Sequence, residues 1–314
     1  MKTRAFLLLH LAVLLAGGTG ILGRLISLGG LGLVWYRMLV AVVTMLLTLL
    51  CLRRKFAVSR RNGLRIAACG MLLTLHWVAF FASIKASNVS AGVACIATSC
   101  FFTSLFDPLL NRHKVSWRDV LISFIAIAGI LLVFSLDVRY RMGITLGILS
   151  AALYSLFSVC NVRTAQATGT DSSTMLIWEL IGGAALLTLI VPLYVLLSHT
   201  PLPVPAPGDM LPIVLLGSLF TVVPIFLQVH VLRTLSAFTV NITYNLEPIY
   251  SIILAAIIFN EAREVGLSFW IGIVFIVISI ILQTIRTIHK SPIHHQRKKG
   301  SFRIAALTHQ IPIV

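Results

Sequence analysis

Acid is what this chain has least of. Nine Asp and Glu stand against 25 Lys and Arg in 314 residues, and charged side chains of either sign make up only 11%. Soluble domains carry about 25% charged residues, so a water-facing globular surface is excluded. The motifs of hydrolytic and nucleotide-driven chemistry are missing too: there is no H-E-x-x-H, no G-x-S-x-G, no P-loop and no aspartate pair. The five cysteines (Cys51, Cys69, Cys95, Cys100, Cys160) lie in or at the ends of apolar runs and show no metal-ligand spacing. No disulfide, metal or cofactor is therefore expected. The short alternating segments of a transmembrane barrel are also lacking.

What fills the chain is apolar sequence. Hydrophobic residues make up 58% and the mean hydropathy is +1.00. Runs of about 20 apolar residues, each long enough to cross a bilayer as a helix, are predicted at 5–26, 32–52, 66–86, 89–110, 119–136, 143–163, 174–197, 210–232, 237–259 and 265–286. The first follows Lys2 and Arg4 as a signal peptide would. Its apolar part is long and no A-x-A site follows, so it is expected to be retained.

The net charge of +16 fits membrane topology better than nucleic-acid binding. Cytoplasmic loops collect Lys and Arg. With the N-terminus inside, the Arg53–Arg65 cluster, Arg112, Lys114, Arg118, Arg163, Arg233 and the basic tail all fall on the cytoplasmic side, and few basic residues fall outside. An even number of spans then puts both termini in the cytoplasm. The tail, 287–314, is expected to lie on anionic inner-leaflet lipid.

The chain repeats itself. "NRHKVSWRDVLISFIAIAGILL" (111–132) lies over "NEAREVGLSFWIGIVFIVISII" (260–281) without a gap. Five spans per copy is an odd number, so the copies, 1–140 and 141–286, enter the bilayer from opposite sides. The expected fold is an all-α polytopic membrane protein, ten transmembrane helices arranged as two inverted five-helix repeats. In the repeat register Thr98-Ser99 stands where the second copy has Glu247-Pro248, so the halves differ chemically.

These features, with "LEP" at 246–248, "NE" at 260–261, "LLAGGTGILGRLIS" (14–27) and "VWYRMLVA" (34–41), resemble the drug/metabolite transporter superfamily, specifically the EamA-type permeases. One departure is Ala16, where many members have tryptophan before the first-helix glycine. The resemblance covers 5–286. It implies an inner-membrane carrier with cytoplasmic ends, a central cavity and alternating access, and export is the family-level expectation.

Charge inside a span is costly, about 2.5–3.5 kcal/mol on insertion scales, and points to a cavity or a partner. Glu247 lies near the middle of span nine, with Thr243, Tyr244, Tyr250 and Ser251 on its face and Pro248 beside it. It would meet a cationic group, carry a proton, or fix packing through hydrogen bonds. His76, next to Trp77, lies equally deep in span three. Proton coupling, if present, would run through these two groups. Arg37, near the outer end of span two, suits an anionic group or snorkels to the interface. Tyr154, Trp178 and Gln228 complete the candidate cavity wall, and Pro224 and Pro248 are the candidate hinges.

Glu261, Arg263 and Glu264 read as a solvated charge cluster in an outer turn. Gly17, Gly18, Gly20, Gly143, Gly147, Gly182 and Gly183 are expected at close helix contacts. A mixture of acid, imidazole, guanidinium and aromatic groups suits a small amphiphilic metabolite such as an amino acid. The expected partners are thus a small-molecule substrate and membrane lipid, with no nucleic acid. An intramembrane enzyme, a channel and a non-transporting scaffold are the competing readings.

Overall fold

A computed structural model describes residues 2–112, 114–134, 140–231, 235, 240, 243–244, 246–261 and 267–290. The described residues are helical, with no strand among them. The helices are α1 (Lys2–Leu25), α2 (Gly30–Cys51), α3 (Arg60–Ala86), α4 (Val89–Ile96), α5 (Ser99–Asn111), α6 (Trp117–Phe134), α7 (Arg141–Thr168), α8 (Ser172–Ser198), α9 (Met210–Gly217), α10 (Val222–Val231), α11 (Glu247–Ile258) and α12 (Leu267–Lys290). Seven stretches are long and apolar enough to cross a membrane: Thr3–Leu25, Gly30–Cys51, Arg60–Ala86, Val89–Asn111, Arg141–Thr168, Ser172–Ser198 and Pro207–Gln228. Two shorter apolar helices, Glu247–Ile258 and Trp270–Ser279, follow. Most of the basic tail, 291–314, lies outside the described residues, as do Arg263 and Glu264.

Apolar side chains face both inward and outward. Leu33, Met38, Phe81, Ile177, Leu180 and Leu187 are fully buried where α2, α3 and α8 meet. Leu189, Leu196, Leu197 and Ile257 are about seven-tenths exposed. Lipid as solvent explains the second group, because the acyl chains are as apolar as leucine itself.

The contacts between the halves come in matched pairs. The first helix of one half, α1, packs on α10 and α11, and its counterpart α7 packs on α3, α4 and α5. In the same way α2 meets α9, and α8 meets α3. The contacts of α2 with α8 and α6 with α12 join equivalent elements. Exchanging the halves reproduces this set, as expected of two copies of one fold.

Close approach is made by glycine. At the α3–α8 crossing, a Cβ on Gly70 would collide with the Glu179 carbonyl oxygen, and one on Gly182 would collide with that of Ala67. The two helices pass backbone to backbone at this point.

Two apolar runs that the sequence presents as single spans are broken. The 89–111 span breaks at Ala97 and Thr98, and the 210–231 span at 218–221. A break in a membrane frees carbonyls that must be satisfied internally, and nearby hydroxyls do this. Thr98 Oγ1 donates to Cys95 O at 2.6 Å, and Ser155 Oγ, from α7, donates to Ser99 O at 2.5 Å. At the other break, Ser218 Oγ donates to Val214 O at 2.5 Å and Thr221 Oγ1 to Leu216 O at 2.6 Å. In the repeat register Thr98 lies over Glu247, where α11 begins. Both fourth-span segments therefore start a new helix at the same place.

Candidate functional site

Arg37 is 3% exposed, and two other elements hold it. Its Nε donates to Thr221 Oγ1, in the break before α10, at 3.1 Å. Its guanidinium lies over the Trp77 ring at 3.8 Å from the centroid, with Phe81 at 5.5 Å. A planar, weakly hydrated cation on an indole face is a favourable arrangement away from bulk water. The charge is thus accommodated between α2, α3 and the second half, where the sequence left open a substrate contact or snorkelling.

His76 lies one residue before Trp77 on α3 and is 7% exposed. Its Nδ1 is 2.9 Å from Ser150 O. A carbonyl only accepts, so Nδ1 carries the proton in this bond. Ser150 Oγ lies 2.8 Å from the same nitrogen and also donates to His76 O at 3.1 Å. The imidazole stacks on Phe80, with centroids 6.0 Å apart, and tilts against Tyr154 at 5.1 Å. α7 thereby fixes the plane of a ring carried by α3.

Glu247 occupies the first turn of α11, with Pro248 following it. Pro248 costs no hydrogen bond there, since the first-turn amides of a helix have no intrahelical acceptor. Glu247 is half-buried and within electrostatic reach of Arg37, Tyr154 and Tyr244. Arg37 also acts electrostatically on His76. Tyr154 is 39% exposed even though it touches buried His76 and senses Glu247. Tyr244 donates to Pro224 O at 3.4 Å, and Pro224 lies in the first turn of α10.

The remaining candidates have other surroundings. Thr243 is buried just before α11, and Gln228 is half-buried on α10. Ser251 Oγ donates to Gly17 O at 2.7 Å, tying α11 to α1. Tyr250 turns to His10, its hydroxyl 2.8 Å from Nδ1. Trp178 donates from Nε1 to Phe56 O at 3.0 Å. Its neighbour Glu179, 5% exposed, accepts from Asn161 at 2.8 Å.

The reading of Glu261 as part of a solvated charge cluster is overturned. This residue is 1% exposed. It accepts from the amides of Val89 and Ser90, each at 3.1 Å, and from Ser90 Oγ at 2.6 Å, and it pairs with Arg24 at 2.5 Å. A carboxylate at the start of α4 satisfies orphan amides and complements the helix dipole. Asp209 makes a parallel link, accepting from Ser27 N at 2.8 Å and Ser27 Oγ at 2.5 Å. Lys85 bonds the carbonyls of Arg24 and Ile26. In both links an acid of the second half grips the first half at the end where α1 finishes. Sequence reading missed Ser150, Thr221 and Glu261 as structural partners. For Thr221 a signal existed in "GSLFT" (217–221), a polar interruption within an apolar run.

An all-helical chain with apolar outer faces, two matched halves and a polar cluster between them is a multi-pass membrane protein. The profile of the EamA-like transporter family matches it twice, over residues 3–135 and 141–285. The chain belongs to that family, within the drug/metabolite transporter superfamily. A solved structure described only as a crystal structure of a protein superposes with a TM-score of 0.61 at 16% identity, over 92% of this chain and 99% of that one. That likeness is one of fold. No curated protein sequence matches.

Proposed function

We propose that the protein is a secondary carrier that exports small organic metabolites across the cytoplasmic (inner) membrane by alternating access. In this reading ten spans form two five-span halves of opposite sense, and both termini are cytoplasmic. The substrates are amphiphilic, amino acids and their relatives among them, and they bind at half depth between the halves. The observation that carries the reading is the convergence of Arg37, His76, Tyr154 and Glu247, from α2, α3, α7 and α11, on one region at the junction of the halves. Such charges are expensive in a membrane unless they line a hydrated site. The outer-end links through Glu261 and Asp209 suit a carrier closed on that side, and rocking the halves apart would break them.

Reconstituted protein tests this directly. Proteoliposomes preloaded with unlabelled amino acid mixtures should accumulate labelled counterpart by counterflow, with saturable rates. Flux without counterflow would indicate a channel. Absence of flux for every metabolite class tried would indicate a scaffold.

A further inference from the structure

The connection between α2 and α3 displays cations and no acid. Arg53, Arg54, Lys55, Arg60, Arg61 and Arg65 are all exposed. The chain has no Asp or Glu before Asp107. None of these cations forms an ion pair or a side-chain hydrogen bond among the described residues. Their placement is unfavourable for the protein by itself. Arg60 and Arg61 occupy the first turn of α3, where the helix dipole favours anions. Arg61 and Arg65 stand one turn apart on the same face, a repulsive spacing for like charges. An external anion among the guanidinium groups relieves both penalties.

The connection holds these cations in place. Phe56 packs on the core, and its carbonyl accepts from Trp178 Nε1 at 3.0 Å. Ser59 caps α3 by accepting from Asn62 N at 3.4 Å. A Cβ on Gly63 would lie 3.0 Å from the Trp178 ring. α8, from the second half, therefore braces the connection from behind.

The borders of this surface identify the anion. Leu50, Leu52 and Leu64 are 65%, 54% and 64% exposed, and they interleave with the cations at the end of α2 and the start of α3. Exposed leucine on a membrane protein lies against acyl chains, so cations at this level stand in the headgroup layer. A soluble polyanion would meet the charges and leave the leucines uncovered. A phospholipid covers both.

We propose that the α2–α3 connection is a binding surface for anionic phospholipid, with headgroup phosphates among its cations and acyl chains along the three leucines. In the topology proposed above this is the inner leaflet. Because Trp178 joins the connection to α8, lipid bound there also steadies the packing of α8 on α3. Lipid binding here is independent of which solute the protein carries.

The test uses the full-length protein in phosphatidylcholine vesicles that carry a trace of photoreactive phosphatidylglycerol or of photoreactive phosphatidylcholine, with adducts mapped by mass spectrometry. Each Lys or Arg at an anionic surface contributes about fivefold in affinity, so the anionic probe should label residues 50–65 about tenfold or more over the neutral one. Molar salt should bring the two probes within about twofold of each other. Combined Arg60→Gln, Arg61→Gln and Arg65→Gln should lose most of the excess. Combined Arg297→Gln, Lys298→Gln and Lys299→Gln, an equal loss of charge in the tail, should keep it. Equal labelling by the two probes in the unmodified protein overturns the proposal, and so does an excess confined to 287–314. Displacement of the label by soluble glycerol phosphate would mean a free-anion site, and displacement by hexaglutamate alone would mean a protein partner; either result also overturns it. The unmodified protein decides even where a variant fails to fold.

Discussion

Glu261, in the turn after α11, and Arg24, at the end of α1, are 237 residues apart in the chain and 2.5 Å apart in space. Their ion pair ties the second half to the first at one end of the molecule, and the same carboxylate caps α4. Glu261→Ala removes the pair and leaves the Val89 and Ser90 amides without an acceptor. Breaking a buried pair costs about 3–5 kcal/mol. Arg24 is 32% exposed, so the lower end, about 3 kcal/mol, is expected. Glu261→Gln keeps an acceptor for the amides and should cost about 1 kcal/mol. Thermal unfolding in detergent checks both. Equal, negligible shifts would show that the link does not stabilise this conformation.

The α3–α8 crossing predicts a contrast among glycines. Gly70→Ala and Gly182→Ala each place a methyl inside the opposing backbone, which must then move away. Overpacking of this kind costs about 1–3 kcal/mol, with lower expression and melting temperature. Gly29→Ala meets nothing within 4 Å and should stay within about 0.5 kcal/mol of the parent.

Arg37→Lys tests whether shape or charge matters at the centre. An ammonium cannot lie flat on Trp77 while also donating in the plane to Thr221. Counterflow is expected to fall at least tenfold, with the protein still folded. Trp77→Phe keeps a weaker ring face and should retain more activity than Arg37→Lys. The reverse order would exclude stacking as the means by which Arg37 is positioned.

Cys51, at the end of α2, is exposed, whereas Cys69, Cys95, Cys100 and Cys160 are buried or half-buried. With the N-terminus inside, Cys51 faces the cytoplasm. A membrane-impermeant maleimide should label it only after cells are opened. Thr200 is exposed in the loop after α8. On a background with Cys51→Ser, Thr200→Cys should label in intact cells. The opposite pattern would invert the topology.

Much of this architecture was legible in the sequence. The helices begin and end within a few residues of the apolar runs at 32–52, 89–110 and 174–197, because transfer into lipid depends on composition summed along one segment. The repeat was legible from the alignment of 111–132 with 260–281, which the matched contacts and the family matches to both halves bear out. The breaks at Ala97–Thr98 and 218–221 were not legible. A broken span and an intact one have the same hydropathy, and the hydroxyls that satisfy the freed carbonyls become meaningful only once they point at them.

Glu261 shows the limit most clearly. Beside Arg263 and Glu264 at a helix end it reads locally as a solvated charge, yet its partners Val89 and Ser90 lie 172 and 171 residues away. The chain's solvent, its helical class, its duplication and the presence of charges within its spans follow from the order of residues alone, since each is a local or a periodic property. Which charges meet was decided by folding: Arg37 reaches Thr221 across 184 residues, and Ser150 sets the ring of His76 across 74. Such contacts depend on how packed helices lie against one another, and no stretch of sequence read by itself contains that information.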